Sequence, residues 1–192
     1  MDKVYREANL MSASHKVAAN KGAPGVDHVT IEDFTARLYA NTSKLEAQLR
    51  TKQYRPQAIR RVRIPKPGTR ETRPLGIPTV RDRVVQAAIR NVIEPILERQ
   101  FAEHSYGFRP GRGCKDALRR VDRLVKAGYK HTVDVDLKSY FDTIPHDRLL
   151  AELRKYIADN SLIGLVAQFL QASIMDDVDQ WTPTEGAPQG AI

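Results

Sequence analysis

Asp136 closes a short run of alternating character, Thr132-Val133-Asp134-Val135-Asp136-Leu137, and the aromatic pair Tyr140-Phe141 follows soon after. The run reads as a β-strand with Val133, Val135 and Leu137 on one face and Thr132, Asp134 and Asp136 on the other, because successive strand side chains alternate. A carboxylate at the end of an apolar-backed strand suits a hard cation. Mg²⁺ takes oxygen ligands and is commonly held by one or two protein carboxylates while phosphate groups complete its shell. One strand-end Asp is half of such a site, and a solvated loop carboxylate is the competing reading. Groups suited to phosphate lie upstream. Lys66 and Arg73 flank a turn, with Arg60, Arg61, Arg63 and Arg70 on the same element. Arg109 and Arg112 lie in a Pro-Gly-rich turn before a helix, where backbone amides also favour phosphate. Lys offers a point charge and Arg a planar fork that binds phosphate oxygens in pairs. So many like charges repel one another unless a polyanion is present, so contacts to a phosphate backbone are expected among them.

These residues need elements to hold them. Residues 59–64 and 73–77 read as two strands of a hairpin around Lys66-Pro67-Gly68-Thr69-Arg70, which concentrates the basic residues on one element. A weakly helical stretch over 4–20 precedes the turn at Gly22-Ala23-Pro24-Gly25. A second helix is expected after Thr30, with Ile31, Phe34, Leu38, Leu45 and Leu49 on one face and a break at Asn41-Thr42-Ser43. Val84, Val85, Ala88, Ile89, Val92, Ile93, Ile96, Leu97 and Phe101 recur at helical spacing, with Pro95 expected to bend or interrupt the helix. Further helices are expected over 115–126, stopped by Gly128, around Leu149, Leu150, Leu153 and Ile157, and around Leu162, Leu165, Val166, Phe169 and Leu170. A short hairpin is expected over 174–188. The order of elements predicts an α+β chain.

Composition excludes several function classes. The chain has 192 residues, 41% of them hydrophobic, and a net charge of +8. The first 133 residues carry 27 Lys or Arg against 13 Asp or Glu, and the remainder 4 against 10. A basic part followed by an acidic part fits a surface that grips a polyanion beside a site that holds metal. Cys114 is the only cysteine, which excludes an internal disulfide and a cysteine metal cluster. No apolar run is long enough to cross a membrane, and the N-terminus lacks a leader pattern, so a cytoplasmic protein is expected. Gly111-Arg112-Gly113 is not a dinucleotide fingerprint, since no strand–loop–helix unit surrounds it. His146 has no zinc-spaced neighbour and is expected to cap a helix. Asp142 is expected to hydrogen-bond near the turn before it.

Several blocks stand in order: Asn20-Lys21-Gly22-Ala23-Pro24-Gly25-Val26-Asp27, Ile64-Pro65-Lys66-Pro67-Gly68, Arg73-Pro74-Leu75-Gly76-Ile77-Pro78, Ser105-Tyr106-Gly107-Phe108-Arg109-Pro110, the Asp136 segment, and Ala187-Pro188-Gln189-Gly190. Together they resemble the reverse transcriptases encoded by bacterial group II introns, the intron maturases. The resemblance implies the fingers (residues 1–130) and a partial palm (131–192) of a right-hand polymerase. It makes Asp136 the catalytic ligand of two Mg²⁺ ions and adds Leu137 beside it as a metal and nucleotide contact. Lys66 and Arg73 become contacts for the incoming triphosphate, Gln189 a contact for its sugar, and Arg109 and Arg112 template or nucleotide contacts. Phe141 becomes a steric gate against a 2′-hydroxyl, with a plain core aromatic as the alternative. The implied partners are an RNA template, the intron RNA, a DNA primer or target and deoxynucleoside triphosphates, in a bacterial cytoplasm, with homo-oligomerisation left open. The implied activity is RNA-directed DNA synthesis with a splicing role. The family's Tyr-Ala-Asp-Asp hairpin is absent from these residues, so this chain alone is expected not to polymerise. A non-catalytic RNA-binding module and an RNA-directed RNA polymerase are the alternatives. His28, Ser139-Tyr140, Ala187 and Ala191 depart from the family pattern without removing a charged contact.

Overall fold

Polar side chains decide where the N-terminal helices begin and end. In the computed structural model, which describes residues 1–187, helix α1 (Asp2–Tyr5) is separated from α2 (Glu7–Ala19) at Arg6, whose ψ of 131° is extended. Thr30 starts α3 (Ile31–Ala36) with a capping box: its hydroxyl accepts from the Asp33 amide, and the Asp33 carboxylate accepts from the Thr30 amide, each at 3.1 Å. The break expected at residues 41–43 falls instead at Arg37, and α4 (Leu38–Arg50) runs through them. Asn41 Nδ2 donates to the Phe34 carbonyl at 2.8 Å, and Thr42 Oγ1 donates to the Leu38 carbonyl at 2.9 Å. Asn41 thus satisfies a carbonyl at the end of α3, and neither side chain unwinds its own helix.

The hairpin forms as expected, with β1 (Ile59–Pro65) antiparallel to β2 (Thr72–Ile77) and Gly68 in the left-handed region at φ 76°. Helix α5 (Val80–Leu97) continues past Pro95 and ends in a 3-10 turn over Glu98–Gln100. Helix α6 (Cys114–Lys126) stops before Gly128, at φ 94°. Then come α7 (His146–Arg154), α8 (Asn160–Leu170) and the two short strands β3 (Ile174–Asp176) and β4 (Asp179–Trp181). Asp159 caps α8 through the Ser161 and Leu162 amides at 2.9 and 3.1 Å. One mixed sheet results, in the order β2-β1-β3-β4, with β1 parallel to β3 and β3 antiparallel to β4. The fold is α+β.

The chain divides into two compact units, one of Met1–Ile93 with Ser139 onward, the other of Glu94–Lys138. In the first, Val4, Leu10, Val84, Val85 and Ile163 are fully buried and join α1, α2, α5 and α8 in one core. The second holds the expected strand, which does not form: residues 132–137 pair with no strand among the described residues. Val133, Val135 and Leu137 are 87%, 78% and 64% exposed. The period-2 pattern is present, but a strand exists only when a neighbour takes up its amides and carbonyls and covers its apolar row. No helix among the described residues is long and apolar enough to cross a membrane.

Candidate nucleotide and nucleic-acid site

Strand register sorts the hairpin cations. Arg60 pairs with Ile77, Arg61 with Gly76, Val62 with Leu75, Arg63 with Pro74 and Ile64 with Arg73. Residues paired across a ladder share a face, and neighbours along a strand alternate. Arg60 and Arg73 therefore lie on one face, and Arg61 and Arg63 on the other. Lys66, just past β1, continues the Arg60 side. Its amide donates to the Glu71 carbonyl at 2.9 Å and its Nζ to Glu71 Oε2 at 2.7 Å, which holds the Glu71 carboxyl below its usual range. Arg70 and Arg73 are exposed, while Arg60 Nε is buried with no hydrogen-bond partner. On the opposite face Arg63 donates to Asp176 at 3.3 Å, and the Arg61 guanidinium lies 5.2 Å from the centre of the Trp181 ring. Strand alternation thus splits into two sets the cations that crowd together along the sequence.

A buried carboxylate fixes the root of the hairpin. Asp82, 1% exposed near the start of α5, accepts from the Tyr54 hydroxyl at 2.5 Å and from the Gln57 amide at 2.8 Å. Its own amide donates to Thr79 Oγ1 at 3.3 Å, and Arg81 lies over the Tyr54 ring at 4.8 Å. Burial pushes the Asp82 carboxyl above its usual range, against the pull of the Tyr54 and Gln57 hydrogen bonds. Burial and the neighbouring Asp82 also push the Tyr54 phenol up. Gln57 is two residues from the start of β1, so this latch sets where the hairpin leaves the helical core. The sequence carried no local signal for it, since the partners are 25 and 28 positions apart.

The Phe141 turn is tied to the segment that leads toward Gln189. Phe141 lies in a 3-10 turn over Tyr140–Asp142, is 52% exposed, and meets Tyr140 edge to face at 5.6 Å. Its carbonyl accepts from the Ala187 amide at 2.7 Å, and the Ile144 carbonyl from the Gly186 amide at 2.8 Å. Gly186 is required here: its φ is 81°, and a Cβ would come within 2.6 Å of the Asp142 carbonyl oxygen. Gln189 lies outside the described residues. His146 is not a helix cap; Pro145 holds that position, and His146 Nε2 donates to the Gly186 carbonyl at 2.7 Å. A carbonyl only accepts, so this contact puts the proton on Nε2.

In the second unit, Arg109 commits its donors within its own loop. Its Nε and Nη2 donate to Glu98 Oε1 at 3.0 and 2.6 Å, and its Nη1 to the carbonyls of Ala102 and Ser105 at 2.7 and 3.0 Å. The side chain is 6% exposed, and its hydrogen bond holds the Glu98 carboxyl below its usual range. Arg112 donates to the Glu103 carbonyl. Asp136 and Leu137 are exposed on the extended segment. Among the described residues no three His, Cys, Asp or Glu side chains lie close enough to hold a metal ion. A pair of Mg²⁺ ions needs more carboxylate than Asp136 supplies, so the described residues do not by themselves make that site.

Comparison with known proteins identifies relatives of the chain. Residues 64–192 match the family described as reverse transcriptase (RNA-dependent DNA polymerase). The chain is 38% identical over 189 residues to protein YkfC of Escherichia coli K12, covering 95% of this chain and 49% of that protein. It is 34% identical over 182 residues to the group II intron-encoded protein LtrA of Lactococcus lactis, covering 94% of this chain and 30% of the relative. It therefore spans half or less of these relatives' length. In fold, 98% of it superposes on 31% of a chain from a partial Cas6-RT-Cas1–Cas2 complex, with a TM-score of 0.63 at 19% identity.

Proposed function

The chain belongs to the reverse transcriptase family, and from that premise we propose that it is the fingers and partial palm of an RNA-directed DNA polymerase of the group II intron type. The observation that carries the reading is the hairpin: Lys66 and Arg73 share one face, at the end where a triphosphate's charge is met by a point cation and a planar fork. Arg60 and Arg70 on the same element extend that charge along bound nucleic acid, and on the other face Arg61 lies over Trp181 while Arg63 is bonded to Asp176. Phe141, half exposed and anchored by its carbonyl, acts as the gate that excludes a ribonucleotide's 2′-hydroxyl. Gln189 contacts the sugar. Asp136 and Leu137 contribute to the Mg²⁺ site; when bound, the ions neutralise the charge of the transferring phosphoryl group. Arg109 holds the loop that presents Arg112. In the intact protein the basic surface also binds intron RNA in support of splicing.

The lone ligand carboxylate favours a second statement about the 192 residues alone. By themselves they bind RNA and do not polymerise. The test is Asp136→Asn in a protein of the relatives' full length. The expected result is loss of DNA synthesis with RNA affinity unchanged or slightly raised. Residual full synthesis would reject the assignment.

A further inference from the structure

The sheet face opposite Lys66 and Arg73 carries a feature that triphosphate binding does not use. A cleft of about 210 Å³ opens there, lined among others by Arg61, Gly76, Asp142, Trp181, Pro183 and Glu185. Trp181 is 38% exposed, and the Arg61 guanidinium lies over its ring at 5.2 Å. Arg61 makes no ion pair among the described residues, unlike Arg63 beside it, which is bonded to Asp176. Two planar groups, an indole and a guanidinium, thus face a cleft whose lining also includes two acidic residues. Asp142 and Glu185 disfavour a phosphate inside it. They accept hydrogen bonds, and the edges of nucleobases donate them. Gly76 contributes no side chain to the wall, which leaves room for a flat ligand. A nucleobase fits this combination: it stacks on aromatic and guanidinium planes, while its phosphate stays outside near the hairpin cations.

We propose that this cleft receives an unpaired base of the single-stranded template, stacked against the Trp181–Arg61 pair. The hairpin then handles two ligands, a triphosphate on its Lys66 and Arg73 face and a template base on its Arg61 face. The proposal rests on the template-binding reading given above.

Trp181 is the only tryptophan in the chain, so intrinsic fluorescence reports on this cleft directly. A short unstructured RNA is titrated into the protein, with Trp181 emission and the anisotropy of a labelled copy of the RNA read in parallel. The expected result is quenching that follows the anisotropy curve, and weaker, non-quenching binding of an abasic oligonucleotide of equal length. Trp181→Phe should keep affinity close to wild type, while Trp181→Leu should weaken it about tenfold, the scale of one lost base stack. Arg61→Lys, which keeps the charge and loses the plane, should weaken binding and reduce the quenching while leaving the indole in place. Circular dichroism checks that each variant is folded. RNA binding without quenching, or abasic binding equal to RNA, overturns the proposal and leaves the basic hairpin reading intact. Quenching by a free nucleotide at the same concentration as RNA overturns the template assignment. Absence of RNA binding overturns both readings.

Discussion

Tyr54→Phe removes one oxygen atom from the latch at the root of the hairpin. The lost hydroxyl donates at 2.5 Å to Asp82, which is 1% exposed and keeps the Gln57 amide at 2.8 Å and the Arg81 guanidinium, 3.7 Å away, as its remaining partners. A hydrogen bond to a buried charged group contributes roughly 1.5–3 kcal/mol, and a neutral one about 0.5–1.5 kcal/mol. The cost therefore depends on the charge of Asp82. Burial raises its carboxyl above the usual range, so its protonated form adds stability that is full below the unfolded value and lost as pH rises through the folded value. Above that point the buried anion depends on Tyr54. The expected deficit is about 2 kcal/mol where Asp82 is ionised, a fall of roughly 4–8 °C in midpoint for a chain of this size, shrinking to about 1 kcal/mol as pH falls through its folded value. Urea denaturation of both proteins across this pH range measures it. A deficit that stays below about 0.5 kcal/mol at every pH, or that grows as pH falls, would refute the account of Asp82 as a buried carboxyl held by Tyr54.

Two further outcomes follow from single contacts. Gly186→Ala places a Cβ against the Asp142 carbonyl at a positive φ and should cost about 2–3 kcal/mol, together with a change in the environment of Phe141; thermal melting within about 1 °C of wild type would show that this segment relaxes freely. Binding of single-stranded RNA should weaken with salt, and Arg70→Ala should reduce the log–log slope by about 0.7, the loss of one phosphate contact. Arg109→Lys, whose side chain serves Glu98 and two carbonyls, should lower stability and leave that slope unchanged.

What could be read from the sequence depends on how far apart the interacting groups are along the chain. The hairpin, the α6 stop at Gly128 and the short terminal strands were legible because turn residues and period-2 patterns act within a few positions. The break between α3 and α4 was misplaced by a few residues, because Asn41 satisfies a carbonyl seven positions back instead of competing with its own helix. Arg109 was assigned by its company of Pro and Gly, whereas its partner Glu98 is eleven positions upstream and carried no motif. The strand at Asp136 failed for a different reason. Its pattern was read correctly, but pattern specifies only a capacity to pair, and no strand among the described residues pairs with it.

That unpaired segment and the two-faced hairpin bear on the same question, namely what these residues contribute before any metal is held. A carboxylate on an exposed, extended segment is poorly positioned, and catalysis by metal ions depends on ligands fixed to a fraction of an ångström. The hairpin is the opposite case. Its register is set by a continuous ladder, its root by the Tyr54–Asp82–Gln57 latch, and its far face by Arg63–Asp176 and Arg61–Trp181. On the proposed reading, the groups that would position nucleotide and template are thus fixed within the sheet itself, while positioning of Asp136 requires a partner strand. This ordering of rigidity predicts that nucleic-acid affinity resides in the present residues and that catalytic geometry is acquired only when the Asp136 segment becomes part of a sheet.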